Sequence, residues 1–276
     1  MESKRTISLK LLEIGLLVLA AVFIIPVYYL FVTTFKTSEE ALLHPLRVPL
    51  NFTLENYTSA LESMKYFTAL KNNVIISVAG VTIVILFSSM AAYVIARRKR
   101  KVYGYIFMFF LTGIMVPYQM GLLPLYKLIS SLDLINTLTG VILIEACYSL
   151  PLAIFLFRNF IDSVPLELEE AAFIDGCGVF RTYWTITFRL LTPVVATVAI
   201  LTALATWNNF LTPLLFLHSR EKGVLLLELY RNVGEFTIDY ARLFPMLFLT
   251  ILPLMLFYLS MQRFIIEGMT AGSVKG

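Results

Sequence analysis

Long apolar stretches separated by polar connections dominate the sequence of this chain. Each stretch is close to the roughly 20 residues that an α-helix needs to cross the hydrocarbon core of a bilayer. Backbone polar groups find no water in that core, so helices are the expected form. The pattern predicts an all-α membrane protein with six transmembrane helices. The expected crossings are Leu11–Thr34, Val74–Ala96, Tyr105–Leu125, Gly140–Phe157, Thr192–Leu217 and Phe244–Gln262.

Basic residues in the short connections predict the direction of these crossings. Lys4, Arg5 and Lys10 precede the first segment, and five consecutive basic residues at 97–101 fill the turn between the second and third. Short cytoplasmic connections carry an excess of Lys and Arg. With an even number of crossings, we expect both termini, the basic turn and the polar connection at 162–191 in the cytoplasm.

Composition narrows the possible classes of protein further. Of 276 residues, 59% are hydrophobic and 14% charged, which is typical of a multi-pass membrane protein. The net charge of +4 is too small and too dispersed to favour nucleic acid as a partner. Cys147 lies in a membrane segment and Cys177 in a polar connection, and no metal-ligand spacing is present. We therefore expect neither a disulfide nor a metal site.

The polar connection at 162–191 is patterned as a helix, a glycine break and a second helix. Ser163 is a good N-cap residue, and Pro165 suits a first helical turn. Acidic residues follow, where they complement the positive end of the helix dipole. Gly176 and Gly178 provide a C-cap and a turn. This shape is that of a docking element.

Two motifs carry a resemblance to a known family. The string Glu170-Ala171-Ala172-Phe173-Ile174-Asp175-Gly176 resembles the coupling loop of permease subunits in ATP-binding-cassette (ABC) importers. The tail at 263–276 resembles the end of the maltose-type second permease of carbohydrate importers. The resemblance implies the ABC importer type I permease fold, with one permease domain over 1–276 and a core at about 70–265. The connection at 162–191 is called the coupling segment below.

The resemblance also implies which residues contact other subunits. The coupling segment is expected to dock in a cleft of a cytoplasmic ATPase through Glu170, Ala171, Ala172, Asp175 and Gly176. The tail is expected to reach the paired ATPases through Gly268, Thr270, Ala271 and Gly272. The chain itself has no phosphate-binding Gly-x-x-x-x-Gly-Lys-Ser/Thr loop. We expect a non-enzymatic transport subunit without a cofactor of its own, with ATP and Mg²⁺ bound by the ATPase.

The partners implied by the resemblance are a second permease, an ABC ATPase dimer and a periplasmic or extracellular solute-binding protein. The expected location is the bacterial cytoplasmic membrane. The last outer connection, at 218–243, corresponds to the loop that probes the binding protein in maltose-type importers. A solvent-exposed connection with no such role is the alternative for this stretch.

The sequence departs from the family pattern after the coupling helix. Where the family often has Ile-x-Leu-Pro, this chain has Ile186-Thr187-Phe188-Arg189, and the next proline is Pro193. The kink into the fifth crossing is therefore expected about one turn later. Arg189 would reach the lipid headgroups or contact a partner subunit.

Polar and aromatic residues in two crossings form a candidate substrate path. At 1.5 Å per residue, Glu145 and Asn208 fall at about the same depth in the fourth and fifth segments. A carboxylate facing lipid would cost about 2.5–3.5 kcal/mol, so Glu145 is expected to face a cavity or a partner. The candidate belt consists of Glu145, Tyr148, Trp207, Asn208 and Asn209. In the alternative interpretation, the asparagines bridge helices and Trp207 anchors the interface.

The predicted function is import of a carbohydrate, with an oligosaccharide favoured. Glycerol-3-phosphate or another polyol derivative is the alternative substrate, although the membrane segments contain almost no Arg or Lys to bind phosphate. An ion-coupled secondary transporter with Glu145 as the coupling residue is an alternative from another class. A membrane scaffold without transport activity is the third. The secondary transporter would leave the coupling segment and the tail unexplained.

Overall fold

A computed structural model describes residues 2–50, 52–233 and 239–273, which form helices joined by turns and irregular segments, with no strand among them. A 3₁₀ turn at Tyr118–Gly121 and a π-helix at Tyr183–Thr187 interrupt the α-helices. The α-helices are α1 (Glu2–Thr33), α2 (Ser38–Leu43), α3 (Glu55–Ser63), α4 (Tyr66–Arg97), α5 (Lys101–Met115), α6 (Leu122–Ser131), α7 (Leu138–Ile161), α8 (Glu167–Ile174), α9 (Val179–Thr182), α10 (Phe188–Leu190), α11 (Thr192–Asn208), α12 (Leu211–Phe216), α13 (Leu225–Arg231) and α14 (Tyr240–Ser273).

Within this described part, four helices are long and apolar enough to cross a membrane. Two bent helix pairs are also long and apolar enough when each pair is taken together. Each would be a further crossing if it forms one span. The straight candidates are Leu12–Thr33, Tyr66–Arg97, Leu138–Ile161 and Tyr240–Met261. The bent pairs are Lys101–Met115 with Tyr118–Ser131, and Val179–Leu190 with Thr192–Asn208. The sequence therefore located all six apolar regions.

Two predicted crossings were wrong as continuous helices. The third, Tyr105–Leu125, bends by 96° between α5 and the turn that precedes α6. Pro117 causes this break, because the residue before a proline is pushed out of the helical region, and Val116 has φ −81° and ψ 118°. The fifth, Thr192–Leu217, breaks at Asn209, whose backbone is extended between α11 and α12. Pro151 interrupts neither the fourth predicted crossing nor α7, which continues to Ile161.

The chain folds into two compact units, Met1–Phe67 with Glu228–Pro253, and Thr68–Leu227 with Leu254–Gly276. In the first unit, Lys36 is fully buried just after α1 and bonds the chain that follows α2. Its Nζ donates hydrogen bonds of 2.7 and 2.9 Å to the carbonyl oxygens of His44 and Pro45. These bonds satisfy an ammonium group that would otherwise be costly to bury.

The second unit is built around α7, which packs against α5, α11 and α12. Phe157, Ile161 and Leu191 are fully buried in its apolar core. Thr137 caps the start of α7 by accepting a hydrogen bond from the backbone nitrogen of Gly140 at 3.0 Å. A Cβ at Gly140 would lie 2.4 Å from a backbone oxygen, so the first turn of α7 requires glycine there. This start fixes the register of α7, on which Glu145 and Tyr148 lie.

The outer connection predicted at 218–243 is structured where the structure describes it. Val224 is buried just before α13, and Leu225 and Leu227 are buried in its first turn. The side-chain amide of Asn72 donates 2.9 Å hydrogen bonds to the carbonyl oxygens of Glu221 and Gly223. The alternative of a fully solvent-exposed connection is therefore wrong for residues 223–227.

The last helix differs from the expected division into a crossing and a separate tail. Helix α14 runs from Tyr240 to Ser273, so the tail predicted from residue 263 begins as a continuation of the helix. The side chains of Gly268, Thr270, Ala271 and Gly272 lie outside the described part of the structure. Their contacts with ATPases stay a prediction, as do the single permease domain and its core limits.

Candidate functional site

The coupling segment has the predicted order of helix, glycine turn and helix. Its first helix, α8, runs from Glu167 to Ile174. Ser163 is not its N-cap, because the Ser163 hydroxyl donates a 2.6 Å hydrogen bond back to the carbonyl oxygen of Phe160. Leu166 occupies the cap position without a side-chain hydrogen bond, so the acidic first turn alone complements the helix dipole.

The turn after α8 is a Schellman motif centred on Gly176. The backbone nitrogen of Cys177 donates to the carbonyl oxygen of Ala172 at 2.9 Å, and that of Gly176 donates to Phe173 at 3.1 Å. Gly176 has φ +80°, a conformation that residues with a Cβ rarely adopt. The direction in which the chain leaves α8 is therefore set by the backbone of this glycine.

The surface of the coupling segment is both acidic and apolar. Four of the five predicted contact residues are exposed, namely Glu170, Ala171, Asp175 and Gly176. Ala172 is the exception, since it is 4% exposed and packs inside this chain. The prediction that Ala172 contacts a partner is corrected accordingly. Large apolar side chains lie on the same segment, with Ile174 87% and Phe180 68% exposed, and such exposure is characteristic of a docking surface.

Glu169, next to the exposed Glu170, points into the chain and is 2% exposed. Its Oε1 accepts hydrogen bonds from the Arg97 guanidinium at 2.9 Å and from the Thr187 hydroxyl at 3.1 Å. Its Oε2 accepts the hydroxyl of Tyr93 at 2.9 Å. We call Glu169, Arg97, Tyr93 and Thr187 the carboxylate clamp. Charge-assisted bonds of this kind are stronger and more directional than neutral ones.

The helix after the glycine turn passes through a π-helix at Tyr183–Thr187 before it bends. The Tyr183 hydroxyl donates a 2.7 Å hydrogen bond to Ser89 on α4. The chain then turns by 75° between Val179–Leu190 and α11, and Pro193 lies in the first turn of α11. The bend thus falls where the sequence departure predicted it. Arg189 is exposed just before the bend.

A second polar group surrounds Glu145 on α7, which is 4% exposed. Its Oε1 accepts a 2.6 Å hydrogen bond from the side-chain amide of Asn209. The same amide nitrogen lies 2.9 Å from the Thr212 hydroxyl, and the Asn209 side-chain oxygen accepts the backbone nitrogen of Thr212 at 3.2 Å. Tyr118 completes the group through a 2.9 Å hydrogen bond to the Thr212 hydroxyl. We call Glu145, Asn209, Thr212 and Tyr118 the intramembrane cluster.

The five predicted path residues are only partly brought together. Glu145 and Asn209 bond directly, and Tyr148 reaches the cluster through an edge-to-face contact with Tyr118, with ring centroids 5.3 Å apart. The amide of Asn208 instead donates to the carbonyl oxygen of Leu204 in its own helix and is exposed. Trp207 is half-buried. The structure therefore supports the helix-bridging alternative for Asn209 and separates Asn208 from Glu145.

Thr212 and Tyr118 were not predicted from the sequence. Thr212 had a local signal, because an Asn three residues before it is a common pattern at a helix start. Tyr118 had none, since it lies 94 residues away along the chain. Tyr118 and Tyr148 line a largely apolar cavity of about 570 Å³ beside α7. This cavity is where the cluster meets open space.

Comparison with known proteins identifies the family. Residues 84–270 match the model of the binding-protein-dependent transport system inner membrane component family. The chain belongs to this family. The match includes the coupling segment, the carboxylate clamp and the intramembrane cluster.

Relatives that the permease matches over nearly their whole length are themselves named as transport permeases. It is 34% identical over 270 residues to the arabinooligosaccharides transport system permease protein AraQ of Halalkalibacterium halodurans, with 96% of each chain covered. It is 32% identical over 259 residues to the probable starch degradation products transport system permease protein AmyC of Thermoanaerobacterium thermosulfurigenes, with 94% of each covered.

A solved structure confirms the fold. The permease superposes with a TM-score of 0.81 on a chain of a bacterial ABC transporter involved in the import of alginate, covering 95% of this chain and 98% of that one. The two sequences are 22% identical, so the likeness concerns the fold alone. It is an ABC importer permease fold, as the resemblance predicted.

Family membership defines what kind of subunit this is. The chain is a non-catalytic transport subunit and a multi-pass protein of the cytoplasmic membrane. Permeases of ABC importers act with a second permease, an ATPase and a binding protein. The predictions of a transport subunit and of its location are confirmed.

Proposed function

We propose that the permease forms, with a second permease, the transmembrane path of an ATP-driven importer for an oligosaccharide delivered by an external binding protein. The names of the relatives support this substrate class, since they specify arabinooligosaccharides and starch degradation products. ATP and Mg²⁺ would be bound by a dimeric ATPase and not by this chain. The exposed acidic and apolar face of the coupling segment is the observation on which the proposal depends.

In this proposal the coupling segment docks on the ATPase through Glu170, Ala171, Asp175 and Gly176. Glu170 would pair with a basic residue, because a charge-assisted contact fixes the register of two surfaces. Ile174 would bury its exposed side chain in the cleft. The tail contacts at Gly268, Thr270, Ala271 and Gly272 are part of the same proposal.

Replacement of Glu170 tests this docking. The Glu170→Lys variant should lose the co-purifying ATPase and reduce ATP-driven uptake into proteoliposomes at least tenfold, while membrane insertion is retained. Glu62→Lys on α3 is the matched control, because it makes the same charge change at an exposed residue outside the segment. Normal uptake by Glu170→Lys would contradict the assigned role of the segment.

We further propose six crossings, with both termini and the coupling segment in the cytoplasm. The two bent helix pairs would each count as one crossing, and the basic residues at 97–101 support the direction. Single cysteines at Ser163 and Ser130, in a background without Cys147 and Cys177, test the sidedness. In intact cells, a membrane-impermeant maleimide should label position 130 and spare position 163. The reverse pattern would overturn the topology.

For the substrate path, we propose that Tyr118 and Tyr148 present aromatic faces to the sugar while the rest of the intramembrane cluster holds them in place. Aromatic rings suit the C–H faces of sugars, and Tyr148 is 56% exposed at the cavity. Trp207 and Asn208 would line the path separately. Tyr148→Ala should raise the KM for uptake with the ATPase still bound. An unchanged KM would remove Tyr148 from the path.

A further inference from the structure

The carboxylate clamp joins three elements through one side chain. Glu169 lies on α8, while its donors lie at the end of α4 (Tyr93 and Arg97) and in the π-helix (Thr187). The guanidinium of Arg97 also donates a 3.0 Å hydrogen bond to the carbonyl oxygen of Val164, just before α8. The side chain of Glu169 and the backbone just before α8 are therefore both bonded to the C-terminal end of α4.

A second contact ties the π-helix to α4 independently. The Tyr183 hydroxyl bonds to Ser89, and the rings of Tyr183 and Tyr93 lie 5.0 Å apart. Tyr183 is 3% exposed and Thr187 is fully buried. Tyr183 thus holds the π-helix against α4, whereas the carboxylate of Glu169 joins α8 to both elements. Single π-turns of this kind are frequent at functional sites.

Helix α8 is short and has no side-chain cap of its own to hold it in place. It has only eight residues and lacks a side-chain N-cap, and the positive-φ Gly176 follows two residues after its end. Its outer face, with Glu170 and Ile174, is exposed. On an α-helix, successive residues differ by about 100°, so the buried Glu169 and the exposed Glu170 point in different directions. One glutamate is available to a partner and the next is bound within the chain.

We propose that the carboxylate clamp makes α8 and the C-terminal end of α4 move as one body, so that Glu169 is a positioning residue for energy transfer to the membrane helices. This inference rests on the proposed function, in which an ATPase pulls on the exposed face of α8. With the clamp intact, displacement of α8 displaces α4. Without it, α8 tilts about Gly176 and the motion of the ATPase is not transmitted.

The first test measures coupling in the complete reconstituted importer. Glu169→Gln and Tyr93→Phe each weaken the clamp while leaving the exposed face of α8 unaltered. The ATPase should still co-purify, and the amount of ATP hydrolysed per sugar transported should rise at least tenfold for Glu169→Gln and severalfold for Tyr93→Phe. Glu62→Gln, an exposed residue on α3, is the control for the loss of a carboxylate and should leave the ratio unchanged.

The second test measures the motion directly. Spin labels at Arg98 and Glu167, with Cys147 and Cys177 replaced by serine, report the distance between the end of α4 and α8. In the otherwise wild-type importer this distance should stay constant between the nucleotide-free and ATP-bound states. In Glu169→Gln it should change or broaden on ATP binding. A purely structural brace would not make the distance depend on nucleotide.

The outcomes separate this inference from the proposed function. If wild type lacks ATP-dependent uptake, the proposed function fails. If wild type transports and Glu169→Gln keeps its ratio within twofold, the clamp has no role in coupling. If Glu169→Gln loses the ATPase altogether, Glu169 supports assembly and the inference is also overturned. The inference is supported if Glu169→Gln keeps the ATPase, hydrolyses more ATP per sugar transported, and shows a distance between residues 98 and 167 that changes with nucleotide.

Discussion

Two buried carboxylates in the same compact unit have different kinds of partner. Glu169, at the coupling segment, binds the guanidinium of Arg97 and two hydroxyl groups. Glu145, on α7, binds the neutral amide of Asn209, which in turn bonds Thr212. Both are at most 4% exposed. Burial alone therefore does not distinguish them, and the charge of the partner does.

The difference shows how each part of the permease is stabilised. Removing one partner of a buried charged pair is strongly destabilising, because the other charge stays buried without compensation. A network of neutral donors tolerates an amide in place of the carboxylate, because an amide oxygen accepts the same hydrogen bond. We therefore expect the coupling segment to depend on charge and the intramembrane cluster to depend on hydrogen-bond geometry.

The largest effect is expected where the charged pair is broken. Arg97→Met leaves the Glu169 carboxylate buried without its cation and should lower the free energy of unfolding by about 3–5 kcal/mol. Titration with SDS in mixed micelles measures this change. Arg98→Met, at the exposed neighbouring position, is the matched control. Equal effects of the two variants would show that the Arg97 pair contributes no specific stability.

A smaller effect is expected from breaking the neutral network. Asn209→Leu keeps the volume of the side chain but removes the donor to Glu145 and the contact that starts α12. An unsatisfied buried acceptor costs about 1–3 kcal/mol. The same unfolding titration applies, with Asn208→Leu as control because that amide is exposed and bonds within its own helix. If the control is the more destabilising variant, the assignment of Asn209 as the bridge is wrong.

The smallest effect is expected when the carboxylate becomes an amide. Glu145→Gln keeps an oxygen for Asn209 and should change stability by about 1 kcal/mol or less. The corresponding Glu169→Gln variant leaves the guanidinium of Arg97 without its counter-charge and should lower the free energy of unfolding by more. The ratio of the two changes, measured in one set of titrations, sharpens the comparison. Equal losses would mean that the charge of the partner does not decide the outcome.

The sequence predicted the features that depend on local composition. Apolar length located the membrane regions, and the positions of Gly176 and the acidic turn predicted the helix–turn–helix shape of the coupling segment. Features that depend on distant residues escaped it. Arg97 was interpreted only as a sign of membrane direction, because its partner Glu169 lies 72 residues away. Glu170 drew attention by resemblance, while Glu169 had no separate signal.

Breaks inside apolar stretches were the other limit. Asn208 and Asn209 were interpreted as path residues within one continuous crossing, so the end of α11 was not predicted. Pro117 did carry a local signal for a break, yet membrane helices often tolerate proline, as α7 does at Pro151. Whether a membrane helix continues through a proline depends on how its surroundings satisfy the freed carbonyl groups.

The positive φ of Gly176 has a consequence for engineering. The angle between the two short helices of the coupling segment is encoded in the main chain, whereas the chemistry shown to the motor subunit is encoded in exposed side chains such as Glu170 and Ile174. The shape of the segment and its specificity for a partner are thus determined by different residues. Exchanging the exposed residues for those of another importer should redirect the permease to a foreign motor without rebuilding the joint.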